Sequence, residues 1–300
     1  MSPTSLSSLG AGATKPSVIR HVSKQEKLVV FAPSPELEFL RAGREAPMQR
    51  WPDTLWVVRH GESAGNVARD AAHAAGSAEI DIEFRDVDVP LSRLGEEQSR
   101  TLGHWFAEMP PSERPDVVLS SPYLRARQTA DIIKIAGGLP TGFARFIIDE
   151  RLREKEFGIL DRLTRLGIEQ RHAQQAEFRR SLGKFYHRPP GGESWCDVIL
   201  RLRSVLDTIS LHHGGKRVLV VGHQVVVLCM RYLLEDLDEK AILEIDAQGD
   251  VANCAVTEYV FQPEQKGSGS LVLKRYNFVA PLQKEGTPVT SAPDANVAAR

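Results

Sequence analysis

Cysteine is scarce, with only Cys196, Cys229 and Cys254 in 300 residues. No two stand at Cys-x-x-Cys spacing and they fall in different segments. A zinc site or a disulfide framework therefore does not fit, and a reducing, cytoplasmic setting does. Three packed thiols are the expectation. Long hydrophobic runs are missing too. No stretch approaches the ~18 apolar residues of a membrane span. The N-terminus lacks the basic start and apolar run of a secretory signal. Nor is there an excess of charge: 38 Lys and Arg stand against 39 Asp and Glu, a formal net charge of −1. That argues against a nucleic-acid binder working by bulk electrostatics, while leaving room for a local basic pocket. No internal repeat and no cluster at metal-ligand spacing is visible. The expectation is a globular protein with no membrane, nucleic-acid, metal or cofactor partner; a homodimer is left open.

What is present is an α/β pattern. Residues 1 to about 25 are rich in Ser, Gly, Ala and Pro and cannot bury enough surface to offset their ordering entropy, so disorder is expected there. Lys27–Phe31 fits a short strand or docking element and Glu36–Arg44 one or two helical turns. Residues 1–50 are thus read as a mostly disordered extension, and 283–300, of similar composition, as a disordered tail. Between them, 51–282 alternates strands with helices. Leu55–Val58, Asp116–Leu119, Phe143–Ile148 and Arg217–Val221 read as strands. Asn66–Ala75, a segment capped by Ser92, Leu124–Ala136, Trp195–Leu211 and Val225–Leu234 read as helices. Thr257–Phe261 and Leu271–Tyr276 read as an antiparallel pair. Continuous apolar strands alternating with helices imply a three-layer α/β/α sandwich on a mostly parallel sheet. The polar helical stretch at about 159–190 is an insertion that would form a cap.

Four strands empty into polar residues: Arg59-His60, Ser120 to Arg125, Leu152-Arg-Glu154 and Gly222-His223. In a parallel sheet these ends share one edge, where ligands bind. Taken singly, His223 is a strand-end residue and Arg125 a solvated helix start. Together they supply the parts of phosphoryl transfer through a protein nucleophile. His60 can attack if neutral, and Arg59 and Arg125 offer planar donor forks to phosphate while disfavouring an imidazolium nearby. His223 can donate to the same phosphate, and Glu154 can protonate the leaving oxygen. Glu150 and Glu156 are rivals for that last role. The cap's many arginines read as a solvated face paired with Glu169 and Glu177.

Arg59-His-Gly-Glu-Ser63, Asn66, Leu91-Ser-x-x-Gly-x-x-Gln98, Ser120-Ser-Pro-x-x-Arg-Ala-x-Gln-Thr-Ala130, Gly192-Glu-Ser194 and Gly222-His223 together resemble the histidine phosphatase superfamily, the phosphoglycerate-mutase-like group, over about residues 54–276. The resemblance implies that His60 is the phosphorylated histidine and that Arg59, Arg125 and His223 complete a phosphate pocket. It places Glu154 as the acid and Asn66 near the phosphate. Phe185 to Ser194 and the Gln after His223 look similar to the fructose-2,6-bisphosphatase branch. By that likeness Gln224 would touch the substrate, with Tyr186 and Arg188 as the cap's candidates for a further contact. Two positions depart from the relatives: Leu228 stands where that branch carries a sugar-phosphate-binding Arg, and Gly65 where mutases carry a Trp. The expected function is metal-independent hydrolysis of a small phosphorylated metabolite through a phosphohistidine. Mutase-type transfer, or a non-catalytic phosphate- or protein-binding module, are the alternatives.

Overall fold

The structure, a computed structural model, describes residues 49–139, 146–263 and 269–291. The readings made for residues 1–48, for 143–145 of the third strand and for 292–300 fall outside them.

Each apolar run becomes a strand covered on both faces. Strands β1 (Thr54–Arg59), β2 (Val117–Ser120), β3 (Phe146–Ile148) and β4 (Arg217–Gly222) are parallel, and β5 (Val256–Gln262) and β6 (Ser270–Phe278) close one edge as an antiparallel pair. The order is β3-β2-β4-β1-β5-β6. Successive side chains point to opposite faces of a strand, so each run feeds two cores. Leu55, Val57, Leu119, Val218 and Val220 pack with α6 (Trp195–His212) and α7 (Gln224–Leu234). Trp56, Val58, Val118, Leu219 and Val221 pack with α2 (Arg93–Glu108) and α3 (Leu124–Ala136). Leu202 and Phe106, from opposite layers, are both fully buried. Each such side chain contributes roughly 1.5–3 kcal/mol of hydrophobic stabilisation, so the two layers are comparable in kind.

Helix starts follow the local chemistry of the sequence. Ser63 caps α1 (Ala64–Ala74), Ser92 caps α2 and Ser194 caps α6, each accepting a backbone N–H from the first turn. The cap insertion is two helices, α4 (Arg165–Arg171) and α5 (Ala173–Tyr186), that turn over at His172 and again at Gly183, whose φ is 81°. Two of its arginines take the expected carboxylates, Arg165 with Glu169 at 2.9 Å and Arg180 with Glu177, while Arg171 pairs with Glu79 and Arg188 with Asp197.

Three features were not legible in the pattern. Helix α8 (Glu239–Gln248) buries Ile242 and Asp246 and packs Leu243 and Ile245 partly against the core; its Asp238 cap is the local signal. Helix α9 (Ala280–Lys284) is a single short turn anchored by buried Leu282. Residues 283–291 are part of the fold rather than a loose tail, because their polar groups find partners on α2 and beside β5, described below. Among the described residues no helix is long and apolar enough to cross a membrane.

Candidate active site

Strand β4 lies between β1 and β2, so the residues leaving the three carboxyl ends are neighbours. His60, after β1, and His223, after β4, are fully buried with ring centroids 5.2 Å apart. His60 Nδ1 lies 2.6 Å from the Gly61 carbonyl oxygen. A carbonyl can only accept, so Nδ1 carries the proton and, in the neutral ring, Nε2 carries the lone pair. The loop that holds this imidazole is tied down on every side. Asn253 Nδ2 donates to the His60 carbonyl (3.0 Å), Gly61 N–H donates to Thr129 Oγ1 (3.0 Å) and Glu62 N–H to Gln98 Oε1 (2.9 Å). The glycines of the motifs serve this packing. A Cβ on Gly95 would stand 2.0 Å from the Glu62 carbonyl oxygen, and one on Gly61 2.5 Å from that of Gly95. The start of α2 and the His60 loop can approach only without side chains there.

His223 Nε2 is 2.7 Å from Ser121 Oγ at the end of β2, and its Nδ1 is 3.7 Å from Glu154 Oε2. Glu154 is buried and its Oε1 accepts the Lys155 N–H at 2.7 Å. Its rivals stand differently: Glu150 is exposed, and Glu156 accepts the Tyr123 hydroxyl at 2.9 Å. Arg201, which the sequence reading missed, braces this segment by donating to the backbone oxygens of Arg151 (2.6 Å) and Glu154 (3.2 Å). It is itself gripped by Glu193 at 3.0 Å. Burial opposes ionisation of Glu193, but Arg201 and Arg153 hold its carboxyl below the usual range. The Gly-Glu-Ser motif is thus a brace for Glu154 and a cap for α6.

Arg59 is fully buried, with Nη1 donating to the Val251 carbonyl at 2.5 Å. Arg125, also buried, stacks over Tyr123 at 4.9 Å and contacts Asp86 through the backbone oxygen (2.6 Å) and the carboxylate (2.9 Å). Asn66 accepts from Ser63 N–H and Oγ–H through its amide oxygen, so what it can offer an anion is its N–H. Arg125, Asn66 and Glu154 line one cleft. Asp86 and the other residues of the 80–89 loop were passed over in the sequence because an acidic, alternating loop shows no site pattern.

The remaining candidates are not among the residues lining that cleft. Gln224 is buried and donates to Asp250 at 2.8 Å. Tyr186 and Arg188 do not line the cleft. Phe185 packs in the core while Tyr186 stays about half exposed, its hydroxyl near Glu239. Arg188 points outward and pairs with Asp197. Among the described residues no group of His, Cys, Asp and Glu is placed to hold a metal ion.

The segment after α9 reaches the same loop. Thr290 donates to Asn253 Oδ1 (3.0 Å), accepts from Gln98 Nε2 (3.0 Å), and its carbonyl accepts the Asn253 N–H (2.8 Å). Gln98 and Asn253 are the two side chains that hold Glu62 and His60. Thr290→Val is therefore expected to cost about 1 kcal/mol of stability in a urea titration. It should also lower turnover by roughly three- to tenfold through a loosened His60 loop. Unchanged turnover would show the segment to be a passive cover.

Lys155 sits beside this brace, buried, with its amine over the Phe157 ring. Burial, reinforced by Arg179, pulls it down to about 8. Below pH 8 the amine is charged both folded and unfolded, and the full penalty of burying it applies. Between about 8 and the unfolded value the folded chain has released a proton that the unfolded chain still holds, so the penalty fades as pH rises. Lys155→Met is expected to stabilise the protein by about 2–3 kcal/mol near pH 7, with the gain shrinking above pH 8. Equal gains in denaturation at pH 7 and pH 10 would refute this.

The family model of the histidine phosphatase superfamily (branch 1) matches residues 55–272. A protein named probable phosphoglycerate mutase GpmB from Photorhabdus laumondii is 30% identical over 179 residues, 59% of this chain and 72% of that one. The 6-phosphofructo-2-kinase/fructose-2,6-bisphosphatase of Caenorhabditis elegans is 32% identical over 60% of this chain, which spans only 33% of that longer protein. Bacillus stearothermophilus YhfR shares the fold with a TM-score of 0.59 at 24% identity, covering 76% of this chain and 98% of its own. A mycobacterial glucosyl-3-phosphoglycerate phosphatase shares it with a TM-score of 0.57 at 24% identity, over 75% and 99%. With two histidines meeting at adjacent strand ends and the match running through nearly all of the sheet, this chain belongs to branch 1 of the histidine phosphatase superfamily.

Proposed function

We propose that the protein is a metal-independent phosphomonoesterase acting on a small phosphorylated metabolite through a phosphohistidine. The observation that carries this is the tautomer of His60: its Nδ1–H on the Gly61 carbonyl leaves Nε2 as the basic nitrogen of a ring whose centroid lies 5.2 Å from that of His223, itself 3.7 Å from Glu154. The substrate's phosphate is held by Arg59, Arg125, His223 and the Asn66 N–H. Nε2 attacks phosphorus opposite the ester oxygen; the P–N bond forms as the P–O bond breaks, and Glu154, as the carboxylic acid, gives its proton to the departing alcohol. Water then attacks the phosphohistidine with Glu154 as base, the P–N bond breaks, and phosphate leaves with the starting state restored. The cations neutralise charge on the non-bridging oxygens during both transfers.

The test is phosphate release from a panel of phosphomonoesters in the presence of EDTA. Turnover that survives the chelator supports the reading. Exchange of 3-phosphoglycerate with its 2-isomer without free phosphate would replace it with the mutase. No turnover of any ester would leave a binding module.

A further inference from the structure

The cleft that reaches Arg125, Asn66 and Glu154 is walled by Ile80, Ile82, Phe84, Val89 and Phe157. This wall comes from the 80–89 loop and from the segment just after Glu154. Its charge holds no surplus cation for a second anion: the lining sets Arg125 and Arg162 against Asp86 and Asp161, with Glu154 besides. Asp86 is the partner of Arg125 at 2.9 Å, and Arg162 donates through Nη2 to the Phe84 carbonyl at 2.7 Å. Acid crowding is felt within the cleft: burial, and then the Asp86 carboxylate, pushes the Asp161 carboxyl up from its ordinary range. Phe84, a large aromatic ring, stands 46% exposed at the wall, where an apolar group could cover it.

From this lining we propose that the leaving group is an apolar, uncharged alcohol, aryl or alkyl, rather than one bearing a second phosphate or a carboxylate. The inference rests on the phosphomonoesterase reading and sharpens it. An apolar alcohol gains by leaving water for the Ile80, Ile82, Phe84 and Phe157 wall. A second anionic group would be desolvated beside Asp86 and Asp161 with no surplus cation to receive it.

Esters of primary alkyl alcohols make the fair comparison, because their leaving groups differ little in intrinsic reactivity. The kcat/KM for 2-phenylethyl phosphate is expected to exceed that for 3-phosphoglycerate by at least about tenfold, with glycerol 1-phosphate between them. Phe84 is a surface ring, so Phe84→Ala keeps the core and should shrink the preference by about fivefold or more. Asp161→Lys should narrow it from the other side, by raising turnover of 3-phosphoglycerate. A 3-phosphoglycerate rate equal to or above that of the phenylethyl ester would overturn the inference while leaving the phosphomonoesterase intact. So would a preference untouched by Phe84→Ala. Absence of hydrolysis for all three esters would instead bring down the catalytic reading, and this inference with it.

Discussion

Replacing His60 with alanine is expected to abolish turnover, with a loss on the order of 10³-fold or more, as when a nucleophile is removed from an enzyme that works through a covalent intermediate. The size follows from the geometry. The cations around the site can still bind phosphate, but in-line attack needs the lone pair on Nε2, and the Gly61 carbonyl commits the proton to Nδ1. Acid-stable modifications aside, wild-type enzyme quenched in base during turnover should carry a phosphoryl label that the variant lacks. His60 is fully buried, so truncation leaves a cavity that could unfold the loop. His60→Gln keeps most of the volume and should be equally inactive while melting near the wild type. Phosphate release by a folded His60→Gln protein would remove the histidine as nucleophile.

Glu154→Gln is the second large effect, and its size should depend on the substrate. For alkyl phosphates, whose alkoxide cannot leave unprotonated, the loss is expected to be about 10²–10⁴-fold. For p-nitrophenyl phosphate the leaving group needs no proton, so the first transfer should stay fast. Hydrolysis of the phosphohistidine still lacks its base. The variant should therefore show a burst of nitrophenolate, about one per site, followed by slow turnover. A loss of the same size for both substrates would make Glu154 a positioning residue. Glu156→Gln serves as the comparison. Its carboxylate holds the Tyr123 hydroxyl, so a small, leaving-group-independent effect is expected there.

Much of this protein is written along the chain. Runs such as Leu55–Val58 and Arg217–Val221 became strands because a continuous apolar segment has to be covered on both faces, and the helix caps at Ser92 and Ser194 follow from one hydroxyl meeting first-turn N–H groups. The placement of polar residues at strand ends was enough to bring His60, Arg125, Glu154 and His223 to one edge on topological grounds. Local pattern says less about where a side chain ends up. Tyr186 and Arg188 lie in a motif-rich stretch, but neither is among the residues lining the cleft, and Arg188 pairs with Asp197. The segment after Lys284 has the composition of a tail, yet Thr290 is held by Gln98 and Asn253, partners 192 and 37 residues away.

The kinds of element, the two-faced burial of the strands and the set of residues capable of the chemistry follow from side-chain type and short-range spacing alone. Packing across the whole fold is what puts β4 between β1 and β2, which sets the two imidazoles 5.2 Å apart. It also decided which nitrogen of His60 bears the proton and that the cleft wall is apolar and acidic. The strand order and the cleft wall rest on contacts between segments far apart in the chain, while the His60 proton is set by the carbonyl of the next residue, which the packed loop brings onto the ring. Strand order is chosen by packing of the whole sheet rather than by any residue within it.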